Sequence, residues 1–268
     1  MNRHAQAAVL FLLGGALLHA GTTDLYLRYV KAGLQPLLLA AGVVLLVTAA
    51  ATVWYEWRRG KSASASGGSE EPGHPEREAH EKHGEHGEPE AREGHEGHAH
   101  PEPGVSWLLV LPLLALILVA PPALGSYSAL RTGTALQKPF GYDPLPASDP
   151  VPLSVVDYAS RAAYGHGHTL HGRAVRVTGF LSLDGSGKPY LVRMALNCCA
   201  ADAQPVKIAL AGQLPPVLRP DAWLEVKGTY RPGLTRDPVN GGPIPYLEVT
   251  STKPVPTPRD PYDETWNK

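Results

Sequence analysis

The stretch Arg173-Ala-Val-Arg-Val-Thr-Gly-Phe-Leu-Ser-Leu183 carries the clearest fold signal in the C-terminal part of this chain. Apolar side chains alternate with polar ones along it, which is typical of a β-strand with one buried face. Gly179 interrupts the strand at a position where a small barrel has to bend. The segment Asp184-Gly-Ser-Gly187 follows at once and has the composition of a turn. The stretch therefore predicts one strand of a small barrel and the hairpin that leaves it.

Four further segments share this short, turn-bounded, strand-like composition: Tyr190–Leu196, Pro205–Leu210, Trp223–Tyr230 and Tyr246–Thr252. Five short strands with glycine inside them are typical of a partly open Greek-key barrel of the OB type. A two-sheet sandwich is the alternative that the same pattern allows. The sequence thus predicts a small all-β domain over residues 153–253.

One helix is predicted to flank this barrel. Residues 153–162 have helical spacing, and Ser154 is followed three residues later by Asp157, an arrangement that resembles a capping box. Residues 126–152 contain Pro and Ser with few periodic apolar positions and are predicted to form a stalk. Residues 254–268 are Pro-rich and charged, and we expect a flexible tail.

The two cysteines of the chain, Cys198 and Cys199, are adjacent and are followed by Ala200, Ala201 and Asp202. Thiolates are good ligands for zinc, copper(I) and similar ions. Adjacent thiols can also react as a redox pair, because the ring of a vicinal disulfide is strained and relatively reducible. A third alternative is a pair of small, buried, unreactive residues. The pair is therefore a candidate metal or redox site.

Three histidines precede the barrel in the segment Gly-His166-Gly-His168-Thr-Leu-His171-Gly. They could join the thiols in a Cys/His metal site if this segment folds over the barrel. The chain has no Cys-x-x-Cys motif and no cofactor-binding loop, and its sequence places no general base beside the thiols. We therefore expect no enzymatic activity.

The N-terminal half carries apolar runs that predict three transmembrane helices, at about 7–27, 36–56 and 105–125. The first two follow each other closely and predict a membrane hairpin within residues 1–59. A cleaved signal peptide is the alternative for the first run. The whole chain is accordingly predicted to be an α + β membrane protein, with three transmembrane helices and a C-terminal OB-like barrel.

Between the second and third runs, residues 60–104 consist mainly of Ser, Gly, Pro, Glu and His, a composition that predicts disorder. Imidazole and carboxylate groups together suit zinc and neighbouring divalent ions. The loose spacing favours a weak buffer with several sites, and the alternative is a solvated linker without a function. The histidines of this loop are His74, His80, His83, His86, His95, His98 and His100.

The basic residues set the predicted orientation in a bacterial cell membrane. Arg58, Arg59 and Lys61 directly follow the second run, so the positive-inside rule places the N-terminus and the histidine-rich loop in the cytoplasm. The C-terminal domain is then extracytoplasmic. The formal net charge of -1 argues against nucleic acid as a partner.

Three segments resemble the YcgQ-like family of permease subunits: Tyr29–Gly42, Gly172–Leu181 and Cys198–Ala203. The last of them, Cys-Cys-Ala-Ala-Asp-Ala, is the most specific. The resemblance implies an accessory membrane protein that pairs with a larger polytopic permease of the YcgR-like type. It also implies an association with zinc homeostasis, and it supplies no catalytic residues.

Overall fold

The computed structural model describes residues 3–65, 111, 114 and 122–263. The chain divides into two units, one comprising Met1–Gly15 with Gly42–Leu118 and the other Ala16–Ala41 with Val119–Lys268. Helix α1 spans Arg3–Thr22 and helix α2 spans Gln35–Ala65. Two 3-10 turns, Asp24–Arg28 and Ala32–Leu34, lie between these helices. We call residues 23–34 the hairpin connection.

Two of the three predicted membrane spans fall on these helices. The segments Ala5–Thr22, of 18 residues, and Ala32–Arg58, of 27 residues, are long and apolar enough to cross a membrane. They are compatible with membrane anchoring. The predicted third span, 105–125, lies outside the described residues apart from 111, 114 and its last four residues, and the predicted loop 60–104 lies outside them after residue 65.

The C-terminal domain contains a closed barrel of five strands. The strands are β2 (Ala174–Leu183), β3 (Pro189–Ala195), β4 (Gln204–Gly212), β5 (Trp223–Arg236) and β6 (Pro243–Pro254). They pair in the ring order β2-β3-β4-β6-β5-β2, in which only the β4–β6 pair is parallel. Each falls on a predicted strand, so the predicted barrel is confirmed and the sandwich alternative is wrong.

Two glycines allow neighbouring strands of the barrel to approach closely. A Cβ atom on Gly179 would lie 2.7 Å from the carbonyl oxygen of Val192. A Cβ atom on Gly228 would lie 2.3 Å from the carbonyl oxygen of Glu248, at a register shift between β5 and β6. Real Cβ contacts are not this short, so these positions need glycine for space.

Short elements flank the barrel where β2 and β3 separate. Strand β1 (Val151–Leu153) pairs in parallel with β2, and strand β7 (Tyr262–Asp263) pairs in parallel with β3. The part of the predicted flexible tail that the structure describes, residues 254–263, therefore contains a strand. This strand is held by main-chain pairing with β3, which the Pro-rich composition of the segment does not predict.

Helix α4 (Val155–Ala163) follows β1 and packs on the barrel. The Ser154 side chain accepts a hydrogen bond from the N–H of Asp157 at 3.0 Å, so the predicted N-cap is confirmed. The buried side of α4, which includes Val155 and Tyr158, belongs to one apolar core with the inner faces of the strands. The Tyr158 hydroxyl donates to the carbonyl oxygen of Tyr246 at 2.6 Å, which ties the helix to β6.

Residues 126–152 lie along the domain, which differs from the stalk that the sequence predicts. They begin with helix α3 (Ser126–Arg131), in which Ala129 is fully buried. The N–H of Ala135 then donates to the carbonyl oxygen of Pro205 at 3.0 Å, and Leu136 joins the main core. A few apolar residues and main-chain bonds hold this segment, and such a pattern lacks the periodicity that sequence analysis detects.

Candidate functional site

The two cysteines lie in a tight turn after β3, formed by residues 197–202, which we call the thiol turn. The turn ends in a 3-10 segment, Ala200–Asp202. The Asp202 carboxylate accepts hydrogen bonds from the N–H groups of Asn197, Cys198 and Cys199, at 3.2, 2.9 and 3.4 Å. In return, the Cys199 sulfur accepts a hydrogen bond from the N–H of Asp202. Asp202 therefore shapes the main chain that presents both thiols.

Both thiols are free and accessible. Cys198 is exposed, Cys199 is half-buried, and their sulfur atoms are 3.7 Å apart. Hydrogen bonds to Asp202 and to Cys199 raise the pKa of the Cys198 thiol to about 11. Desolvation raises the pKa of Asp202, but the hydrogen bonds from the Cys198 thiol and from the turn N–H groups outweigh it, so that pKa lies below its usual value. The turn therefore holds a protonated thiol beside an ionised carboxylate.

Replacing Asp202 with Asn is expected to lower the pKa of Cys198. The carboxylate accepts the thiol proton and repels a thiolate, and both effects raise that pKa in the native chain. A neutral amide removes the charge, so the thiolate fraction at pH 8 should rise several-fold. The rate of alkylation by iodoacetamide between pH 7 and pH 11 measures the change, with Cys199→Ser in both proteins so that Cys198 alone reacts. An unchanged or raised midpoint would contradict this account.

The hairpin connection contacts the thiol turn through the main chain. Val30 forms an antiparallel bridge with Cys199. The N–H of Lys31 donates to the carbonyl oxygen of Cys198 at 3.0 Å, and the N–H of Ala200 donates to the carbonyl oxygen of Tyr29 at 2.7 Å. These bonds surround the two cysteines on both sides, so the thiol turn is also the docking point of the connection.

The donor set of the thiol turn fits a soft or borderline metal ion. Ligand atoms of Cys198, Cys199 and Asp202 all lie within 4.8 Å of one another. Two thiolates at Zn–S bonds of about 2.3 Å in a tetrahedral site would be about 3.8 Å apart. The observed sulfur separation of 3.7 Å matches that spacing. Three protein ligands would leave one coordination position open to water or another ligand, as in zinc sites that are not purely structural.

The three histidines of the domain lie elsewhere on it. The ring centroids of His166 and His168 are 6.5 Å apart, those of His168 and His171 are 6.4 Å apart, and the His171 ring packs edge-on against Tyr230 at 5.3 Å. In the part of the chain that the structure describes, none of the three belongs to the cysteine cluster. The structure therefore places His171 against Tyr230 of β5 and leaves all three histidines outside the cysteine cluster.

The seven histidines of the loop lie outside the described residues, so their predicted metal sites stay a prediction: His74, His80, His83, His86, His95, His98 and His100.

Sequence analysis missed two features of this site. It treated Asp202 only as part of a motif, although a carboxylate four residues after Cys198 is well placed to cap such a turn. That spacing is a local signal that could have been used. It also missed the contact with Tyr29 and Lys31, for which the sequence carries no signal because the bonds use main-chain atoms far apart in the chain.

The fold and the site define a small five-stranded barrel domain that carries an exposed thiol–carboxylate turn. Residues 159–263 match the model of the DUF1980 C-terminal domain. The match includes the barrel and the thiol turn. No curated protein and no solved structure matches the chain.

Proposed function

We propose that this chain is the accessory subunit of a membrane permease and that its barrel domain binds a divalent metal ion, zinc in the first instance, at the thiol turn. The observation that carries the proposal is the cluster of two free thiols and one carboxylate at a spacing suited to zinc. The apolar helices α1 and α2 support the membrane location, with the barrel on the extracytoplasmic side.

The accessibility of the thiol turn favours exchange of the ion over a structural role. Structural zinc sites are closed by four protein ligands, whereas this cluster offers three and Cys198 is exposed. A metal ion must displace the thiol protons, and the raised pKa of Cys198 makes that displacement harder at neutral pH. A site of this kind binds its ion moderately and can release it, as a subunit that delivers an ion must do.

The partner and the loop complete the proposal. The YcgQ-like resemblance supports a larger, YcgR-like polytopic permease as the partner. The barrel strand order supports the OB-like description, and such barrels serve as binding modules. The histidine-rich loop would act as a weak cytoplasmic buffer for the same ion.

A thiol enzyme is the less favoured alternative. A nucleophilic or redox-active cysteine usually has a lowered pKa, because the thiolate is the reactive form. The pKa of Cys198 is raised to about 11, and the neighbouring charge is the carboxylate of Asp202. This electrostatic setting protects the thiol from reaction and suits a ligand better than a nucleophile.

The test compares metal binding by the full-length native protein with binding by a variant in which Cys198 and Cys199 are both replaced by Ser. Co²⁺ would serve as the zinc substitute, because its thiolate charge-transfer absorption reports only ions bound to sulfur. The variant should lose this absorption, and the native protein should lose it when zinc is added in excess. The matched control replaces His166, His168 and His171 with Asn and should keep the signal. A native protein without thiolate absorption would overturn the proposal.

A further inference from the structure

The hairpin connection is fixed at both ends as well as at its centre. The Gln35 side chain donates to the carbonyl oxygen of Gly21 at 2.9 Å, which joins the start of α2 to the end of α1. The side chains of Tyr26 and Leu27 are buried. The connection is therefore a defined structure that ends directly in two apolar helices.

Residues near the C-terminal strand β7 hold the connection from a second side. The Tyr262 hydroxyl donates to the carbonyl oxygen of Arg28 at 2.9 Å and accepts a hydrogen bond from the N–H of Leu124. Arg259 forms an ion pair with Asp24. The connection thus has two attachments, one to the segment around β7 and one to the thiol turn.

The attachment to the thiol turn acts on the main chain that carries the side chains proposed to hold a metal ion. The N–H of Lys31 fixes the carbonyl group of Cys198, and the carbonyl of Tyr29 fixes the N–H of Ala200. These bonds restrain the main-chain dihedral angles between the two cysteines. A turn without the connection would keep the hydrogen bonds within residues 197–203 and lose those that tie it to Tyr29 and Lys31. Its sulfur atoms would then sample a wider range of separations than the 3.7 Å seen here.

We infer that metal binding at the thiol turn and docking of the hairpin connection stabilise each other, so that the ion controls how firmly the ends of α1 and α2 are held on the barrel. The inference rests on the proposed function. An ion that prefers the restrained turn binds the docked state more tightly and must favour docking by the same factor. The thiol turn is then the switch by which metal occupancy reaches the membrane hairpin and the permease beside it.

A substitution at Lys31 can remove one of the hydrogen bonds that join the hairpin connection to the thiol turn. The φ of Lys31, -57°, already suits proline, so Lys31→Pro removes the N–H donor to Cys198 without changing the local backbone. Lys31→Ala is the matched control, because it removes the same side chain and keeps the N–H. Tyr262→Phe is a second variant, which removes the hydroxyl bond to Arg28 at the other attachment.

Two measurements on the full-length protein in detergent test the inference. The first is Co²⁺ affinity at the thiols, read by charge-transfer absorption at buffered free Co²⁺. Lys31→Pro loses one hydrogen bond, so its Co²⁺ affinity should fall about threefold to tenfold. Lys31→Ala keeps that bond and should bind Co²⁺ as tightly as the native protein. The second is hydrogen exchange of residues 24–30, which zinc should slow several-fold in the native protein. Zinc should not slow it when Cys198 and Cys199 are replaced by Ser.

The outcomes separate the two proposals. Thiolate-bound Co²⁺ of equal affinity in the native, Lys31→Pro and Tyr262→Phe proteins, with exchange of residues 24–30 unaffected by zinc, would overturn the coupling and leave the metal site standing. A native protein with no thiolate-bound Co²⁺ would overturn the proposed function and the coupling with it. Unchanged exchange in β4 and β6 shows that each variant keeps its barrel.

Discussion

Replacing Asp237 with Asn should lower the free energy of unfolding of the barrel domain by about 3–5 kcal/mol, because it leaves a buried ammonium group without its counter-charge. The Lys207 Nζ atom donates to Asp237 Oδ2 at 2.7 Å, and both side chains are buried. The same oxygen accepts the N–H of Thr134 at 2.9 Å. Lys207 is left with the carbonyl oxygen of Thr132, at 3.1 Å, as its remaining partner. The pair therefore holds the segment after α3 against β4 and the end of β5.

Asparagine has nearly the shape of aspartate, so the loss comes from charge and not from packing. The free energy is read from the slowest-exchanging amides of β4 and β6 in the full-length protein. Adding Lys207→Met to Asp237→Asn should recover part of the loss, because it removes the unpaired charge. The exposed pair of Arg231 and Glu248, at 3.0 Å, is the control, and Glu248→Gln should cost less than about 1 kcal/mol. Equal effects of Asp237→Asn and Glu248→Gln would refute this account.

Replacing Gly228 with Ala should destabilise the barrel by about 3 kcal/mol, the upper end of the usual cost of overpacking. The added Cβ would lie 2.3 Å from the carbonyl oxygen of Glu248 and 3.0 Å from its carbonyl carbon. Both are main-chain atoms of β6, so relief requires a shift of the strand and of its hydrogen bonds to β5. The clash is with main-chain atoms, so a change of side-chain rotamer cannot relieve it.

Gly185 provides the matched control for this substitution. It lies in the turn between β2 and β3, and a Cβ atom there would have no neighbour within 4 Å. Gly185→Ala should therefore change stability by no more than about 0.5 kcal/mol. Exchange of the β5 and β6 amides measures both variants. A Gly228→Ala protein as stable as Gly185→Ala would show that β6 can move away at little cost.

The strands and the flanking helix could be predicted because their signals are local. The alternation in β2 and the Ser154–Asp157 spacing are visible within ten residues of sequence, and the structure has both elements where the pattern predicts them. The thiols as candidate ligands were equally visible, since Cys198 and Cys199 are adjacent. The apolar content of α1 and α2 likewise predicts two helices of membrane-spanning length.

The tertiary arrangement depends on contacts that have no such local signature. In the sequence, Lys207 is one residue of a predicted strand, and nothing near it indicates its partner Asp237, which lies 30 residues further along the chain. The thiol turn meets Tyr29 and Lys31 through main-chain atoms, which every residue except proline offers alike. Composition and periodicity describe side chains, so they cannot specify such bonds.

The elements of this protein could therefore be predicted from its sequence: the five strands, the capped helix α4, two apolar helices and a pair of adjacent thiols. How these elements are joined became visible in the tertiary structure alone, in which Asp202 caps the main chain of both cysteines, His171 packs on Tyr230 and the hairpin connection contacts the thiol turn. The physical reason is that helices and strands follow from neighbouring residues, whereas docking follows from the closure of the barrel and the main-chain groups it leaves exposed.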